Sequence, residues 1–174
     1  MQARDVADGR NSGPSVAPPA SSSDPRLVVT GPSPQPRPMA ITYRTGNDLG
    51  IDAVIELYRA STLGERRPID DPERIAAMVK NADLVVTAWD GDQPVGIARA
   101  LTDHVYCTYL SDLAVRVSHQ RQGIGKELIE RVRKAAPDAL LILLSAPKAV
   151  DYYPHIGLAR HPSAWILKPE DTLR

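Results

Sequence analysis

Hydrophobic positions between residues 40 and 174 recur with spacings that switch between those of a strand and those of a helix. Ala40-Ile41-Thr42-Tyr43-Arg44 predicts a first strand. Ile51, Val54, Ile55 and Tyr58 then return at helical intervals after a cap at Asn47 or Asp48. Asp70, Asp71, Pro72 and Glu73 open a second helix, whose inward stripe is Ile75, Met78 and Val79. Leu84 to Trp89 predicts a strand that turns at Asp90-Gly91-Asp92 into another, Val95 to about Leu101. Pro94 stands at the start of that strand, where a missing N–H costs least.

A further strand runs from Tyr106 to about Val117 and is followed, after a glycine-containing loop, by a helix carrying Ile124, Leu128, Ile129, Val132 and Ala136. Glu127 with Arg131 and Glu130 with Lys134 form i,i+4 pairs on its outer face, and Pro137 stops it. The run Leu140 to Leu144 has no alternation and predicts a strand covered on both faces. A short helix from Lys148 to His155 and a last strand from Ser163 to Leu167 complete the pattern. The order β-α-α-β-β-β-α-β-α-β belongs to the α/β (α+β) class, a mixed sheet with helices packed on it.

Residues 1–39 are different in kind. They hold 8 of the 16 prolines, no aromatic residue, and 4 Arg against 3 Asp. Such a segment cannot bury enough apolar surface to offset the entropy of ordering it, so a disordered extension is expected, with Met39 as a candidate translation start. The whole chain balances 21 Lys and Arg against 21 Asp and Glu, which gives no reason to expect nucleic acid or an anionic membrane as partner. One cysteine excludes an internal disulfide framework and a cysteine-rich zinc site. The apolar run Ala139 to Leu144 is far below the roughly 20 residues needed to cross a bilayer, so the expectation is a soluble, cytoplasmic protein.

The chemistry concentrates in Gln120-Arg121-Gln122-Gly123-Ile124-Gly125-Lys126, between a strand and a helix. Backbone N–H groups lie unused at a helix start, the helix dipole adds positive charge, and glycines let an anion approach, so the loop suits a phosphate or pyrophosphate. It is not a P-loop, since Gln120 stands where the first glycine belongs and Glu127 follows Lys126. Nor is it a dinucleotide fingerprint, because Leu128 stands three residues after Gly125.

Leu113-Ala114-Val115 followed by Gln120 to Gly125 resembles the acetyl-CoA-binding signature of the GNAT N-acetyltransferase superfamily. Ala149-Val150-Asp151-Tyr152-Tyr153-Pro154-His155-Ile156-Gly157-Leu158 is similar to a second segment of that family. The resemblance covers essentially residues 40–170 and implies a mostly antiparallel central sheet, helices on both faces and a splayed central strand pair holding acetyl-CoA. It implies that Gln120, Arg121, Gln122, Gly123, Ile124, Gly125 and Lys126 hold the pyrophosphate, and that the main chain at Leu113, Ala114 and Val115 pairs with the pantetheine arm.

Acetyl transfer to an amine requires that an amine of pKa ~10 lose its proton and that the departing thiolate gain one. The resemblance makes Tyr153 the general acid and Tyr152 a packing residue. Family members often place Glu or His where this chain has Ser111 and Tyr109, so a water relay through those two takes the amine proton. They share a face with Leu113 by alternation, whereas Asp112 points away unless a bulge shifts the register and is a lesser candidate for the base. His104 and Asp103 are surface residues. Ala146 replaces a frequent Asn, which keeps a non-catalytic acyl-CoA-binding regulatory module in view beside a protein or peptide N-acetyltransferase. The first expectation is acetylation of a small-molecule amine acceptor, with Arg66 and Arg67 at its pocket and no metal; since many members dimerise, a homodimer stays open.

Overall fold

The structure is a computed structural model and describes residues 40–173. The extension expected over 1–39 lies outside the described residues. The elements run β1 Thr42–Thr45, α1 Ile51–Ala60, α2 Pro72–Lys80, β2 Leu84–Asp90, β3 Gln93–Thr102, β4 Cys107–Val115, α3 Ile124–Ala135, β5 Leu140–Ile142 and α4 Tyr152–His155, with single 3-10 turns at Leu63–Arg66, Val117–His119 and Pro147–Ala149. The five strands form one sheet in chain order, antiparallel from β1 to β4 and parallel between β4 and β5.

Helices cover both faces. Val54, Leu57 and Tyr58 of α1 and Ile75 and Val79 of α2 bury against Val85, Ile97 and Ala114. On the opposite face Ile124, Leu128, Ile129 and Val132 of α3 pack on Leu84, Val86, Val95, Ala98 and Leu110. The start of α2 follows the sequence pattern: Asp71 is its cap, Oδ1 accepting from the Arg74 N–H at 2.9 Å, and Pro72 follows in the first turn. The start of α1 does not, since Gly50 holds the cap position without a side-chain bond. Glu127 pairs with Arg131 as expected, whereas Glu130 lies 3.7 Å from Lys126.

Two strand expectations need correction. Leu140 to Leu144 was expected to be covered on both faces, but β5 is three residues long at the sheet edge, and Leu140 is 66% exposed. Leu141 and Leu143 alone in that run pack on the α3 side. Ser163 to Leu167 forms no strand, and Trp165 is 94% exposed. A β-prone composition makes a strand only where a register partner exists, and among the described residues this segment has none.

Two irregularities shape the centre of the sheet. The β3–β4 register shifts so that Arg99 and Ala100 oppose Asp112 and Leu110, leaving Ser111 as an extra residue in β4. This bulge exchanges the two faces of β4: Leu110 packs toward α3, whereas Ala114 packs toward α1 and α2. On its other edge β4 pairs with β5 only through Cys107, Thr108 and Tyr109. From Leu110 onward the two strands part, and the expected splay opens a cavity between them.

Candidate active site

The cavity measures about 1020 Å³. One wall is β4 from Leu110 to Val115, the facing wall is the chain from Leu143 to Ala149, and the ends are the α3 start and the turn at Leu63–Arg66.

At the α3 start, Gly123 occupies the cap position with φ of +82°, a left-handed conformation that side chains with a Cβ adopt at a cost. The first backbone bond of the helix runs from the Glu127 N–H to the Gly123 carbonyl at 3.0 Å, so the N–H groups of Ile124, Gly125 and Lys126 have no intrahelical acceptor. Gln120, Arg121, Gly123, Ile124, Gly125 and Lys126 all line the cavity; Gln122 does not. Gln122 Nε2 instead donates to the Ser118 carbonyl at 3.4 Å, and Gln120 Nε2 donates to the Val115 carbonyl at 3.0 Å. These bonds brace the loop against the end of β4. Leu113, Ala114 and Val115 line the adjoining wall.

Gly125 has a role that its spacing did not disclose. A Cβ there would meet the Tyr152 hydroxyl at 2.9 Å, so the tyrosine tip rests on the bare helix backbone. The Tyr152 and Tyr153 rings meet edge to face with centroids 5.4 Å apart, and both line the cavity. Burial raises the Tyr153 pKa, with Arg66 acting in the opposite direction; for Tyr152, burial and then Tyr153 both raise it. Both hydroxyls therefore hold their protons at neutral pH, the state that a proton donor requires.

The bulge decides which β4 side chains reach the cavity. Ser111 lines it, while its Oγ accepts from Arg99 Nη2 at 2.8 Å. Tyr109, expected beside Ser111 and Leu113 on one face, is absent from the lining: the inserted residue breaks the alternation between them, and Tyr109 lies in the segment that still pairs with β5. Asp112 is absent too. Its side chain is 0% exposed, and both oxygens are taken, Oδ1 by Arg67 Nε at 2.6 Å and Oδ2 by Tyr58 Oη at 2.7 Å and Arg99 Nε at 2.5 Å. Burial alone would raise its pKa, but the hydrogen bond and charge of Arg99, the charge of Arg67 and the Tyr58 bond outweigh burial and lower it. A carboxylate so engaged is a structural anion and a poor base. Asp103 accepts the N–H groups of Val105, Tyr106 and Cys107 at the turn before β4, a local role, with His104 beside it at positive φ.

Arg66 and Arg67 both line the cavity but are used differently. Arg67 binds Asp112, the Ser111 carbonyl at 2.7 Å and the Arg66 carbonyl at 2.8 Å, which fastens the turn at Leu63–Arg66 to β4. Among the described residues the Arg66 side chain has no hydrogen bond or ion pair. Among the described residues no group of three or more His, Cys, Asp and Glu could hold a metal ion, and no helix of theirs is long and apolar enough to cross a membrane.

Residues 51–158 match the model of the Acetyltransferase (GNAT) family. The chain belongs to that family. It is 28% identical over 120 residues to GCN5-related N-acetyltransferase 2, chloroplastic, of Arabidopsis thaliana, covering 56% of this chain and 45% of that protein. With the probable acetyltransferase TAP2 of Glycine max it shares 25% identity over 154 residues, 74% of this chain and 61% of the other. The chain thus spans about half the length of these curated relatives. A GNAT family acetyltransferase of Streptococcus pneumoniae superposes with a TM-score of 0.61 at 25% identity, covering 74% of this chain and 99% of that one. The aminoglycoside N-acetyltransferase AAC(6')-Iy in complex with CoA shares the fold at a TM-score of 0.62 and 16% identity, covering 79% and 99%.

Proposed function

We propose that the protein is an acetyl-CoA-dependent N-acetyltransferase that moves the acetyl group to a primary amine of a small molecule by direct attack within a ternary complex. The observation that carries this reading is one cavity that joins unused N–H groups at the α3 start to the protonated hydroxyl of Tyr153. The helix start and Arg121 and Lys126 suit a pyrophosphate. The open edge of β4 at Leu113, Ala114 and Val115 suits an extended amide-bearing arm. In the reaction the amine nitrogen bonds to the acetyl carbon, the carbon–sulfur bond breaks, the amine proton leaves to water, and Tyr153 protonates the departing thiolate.

No ionisable base stands on the cavity side of β4, and the surrounding charge supplies part of what a base would do. Arg67 and Arg99 share the single carboxylate of Asp112, leaving one positive charge over. A positive surrounding disfavours the ammonium form of an acceptor and lowers its pKa. Ser111 then orders water for the proton to leave on, without Tyr109. The test is calorimetry with acetyl-CoA followed by thiol release assayed with small primary amines. Tight acetyl-CoA binding with amine-dependent release of CoA thiol is expected; binding without release from any amine would leave a non-catalytic acyl-CoA module.

A further inference from the structure

We infer that the acceptor carries an oxyanion, a carboxylate or a phosphate, close to its reactive amine, and that Arg66 binds this group. The inference rests on the acyltransferase reading above and names the substrate class of the same site.

Charge bookkeeping around the cavity leads to it. Of the described residues that line the cavity, Glu65 is the one carboxylate, against Arg66, Arg67, Arg121, Lys126 and Lys148. Arg121 and Lys126 belong to the α3 start, where a pyrophosphate would occupy them. Arg67 is committed to Asp112. Arg66 and Lys148 have no such commitment among the described residues, and of the two it is Arg66, exposed to the cavity, that lies near enough to Tyr153 to act on that hydroxyl's charge. Its backbone is not loose: the carbonyl of Arg66 accepts from Arg67 Nη1 at 2.8 Å, and Arg67 is itself anchored on β4. The guanidinium is therefore presented from a braced turn beside the proposed proton donor, as a planar fork that matches two oxygens of one anion. An acceptor whose amine reaches the Tyr153 end of the cavity brings its neighbouring substituents against Arg66. An anionic substituent there is paired and a cationic one is repelled. Glu65 offers one negative charge, enough for one ammonium group and too little for an acceptor with several, so polyamines and aminoglycosides fit this end poorly.

The experiment compares matched acceptors by initial rate of CoA thiol release: glucosamine 6-phosphate with glucosamine, L-serine with L-serinamide, and spermidine as the polycation. The phosphate pair and the carboxylate pair separate the two anion types. In at least one pair, kcat/KM for the anionic member is expected to exceed that of its neutral partner by about tenfold or more. Arg66→Ala should reduce that ratio to within about threefold by raising the acceptor KM, Arg66→Lys should retain part of it, and the acetyl-CoA Kd should be unchanged in both. Because Arg66 is exposed, both variants fold, which a melting curve checks. Neutral or polycationic acceptors used as well as the anionic ones, or a preference that survives Arg66→Ala, overturns the inference. Calorimetry of the CoA-saturated protein with glucosamine 6-phosphate and with L-serine separates the two levels of argument. Arg66-dependent binding without turnover supports the oxyanion assignment while the acyltransferase reading fails; neither binding nor turnover of any anionic amine overturns the assignment.

Discussion

The hydroxyl of Tyr152 rests on the α3 backbone at Gly125, where a Cβ would come within 2.9 Å of the oxygen; the next ring atom is 3.7 Å away. The contact ties the helix that opens the cavity at one end to the α4 turn carrying Tyr153. Gly125→Ala should push Tyr152 outward and shift its edge-to-face partner Tyr153, weakening acetyl-CoA binding. Tyr152→Phe removes the clashing atom. The double variant should therefore recover both affinity and melting temperature, with a coupling energy of about 0.5–1.5 kcal/mol in a double-mutant cycle. Additive effects of the two changes would mean that the contact carries no energy.

Gly123 is constrained in another way. A Cβ there would meet nothing within 4 Å, yet φ is +82°. Replacing Gly123 by Ala should cost about 1–2 kcal/mol through backbone strain alone, and any relaxation of the turn would re-aim the N–H groups at the start of α3. The expected result is a lower melting temperature together with weaker acetyl-CoA binding by calorimetry. Gly123→Asn, a residue better tolerated at positive φ, should lose less of both.

How far these relationships could be read from the chain depends on whether a neighbour in sequence or a neighbour in space sets them. The cap at Asp71, the stripe of α3 and the glycine loop are local, and residues 40–174 display them openly. The bulge at Ser111 is not local: it arises from the pairing of β4 with β3, and alternation along β4 alone put Tyr109 and Ser111 on one face with Leu113. The same pairing buries Asp112 among Tyr58, Arg67 and Arg99, partners 54, 45 and 13 residues away. A run of three charges, Glu65-Arg66-Arg67, likewise gave no sign of which arginine is tethered to Asp112 and which is not.

The Asp112 cluster gives a pH prediction with a definite sign. The carboxyl pKa is lowered in the folded protein, so its contribution to stability is fully present above the ordinary carboxylate range, near 4, and is lost as pH falls through the lowered value. Thermal melts from pH 7 to pH 2.5 should show a steep loss below about pH 4. Asp112→Asn should flatten part of that loss while destabilising the protein at pH 7 by about 3–5 kcal/mol, since the buried Arg99 and the half-buried Arg67 lose their counter-charge. Tyr58→Phe, which removes one hydrogen bond to Asp112 and leaves the charges in place, should cost about 1–2 kcal/mol. An Asp112→Asn variant as stable as the parent at pH 7 would show the cluster to be energetically neutral.

Tyr153 supplies the test of the chemistry. Burial raises its pKa, so the phenol stays protonated beyond the pH at which an exposed tyrosine begins to ionise, near 10, even with Arg66 drawing the value down. Proton donation should then remain available across the neutral and mildly alkaline range in which the acceptor amine becomes a free base, and kcat should rise with pH to a plateau without an early alkaline fall. Tyr153→Phe keeps the ring that packs edge to face on Tyr152 and deletes the donor, so acetyl-CoA binding should persist while kcat drops by roughly 10²-fold. The loss should appear in kcat with little change in KM, because the proton is needed only as the carbon–sulfur bond breaks. Thioester substrates with more acidic thiols leave without help, so the defect of Tyr153→Phe should shrink along a series of acetyl thioesters of falling thiol pKa. A constant defect along that series would return Tyr153 to a packing role.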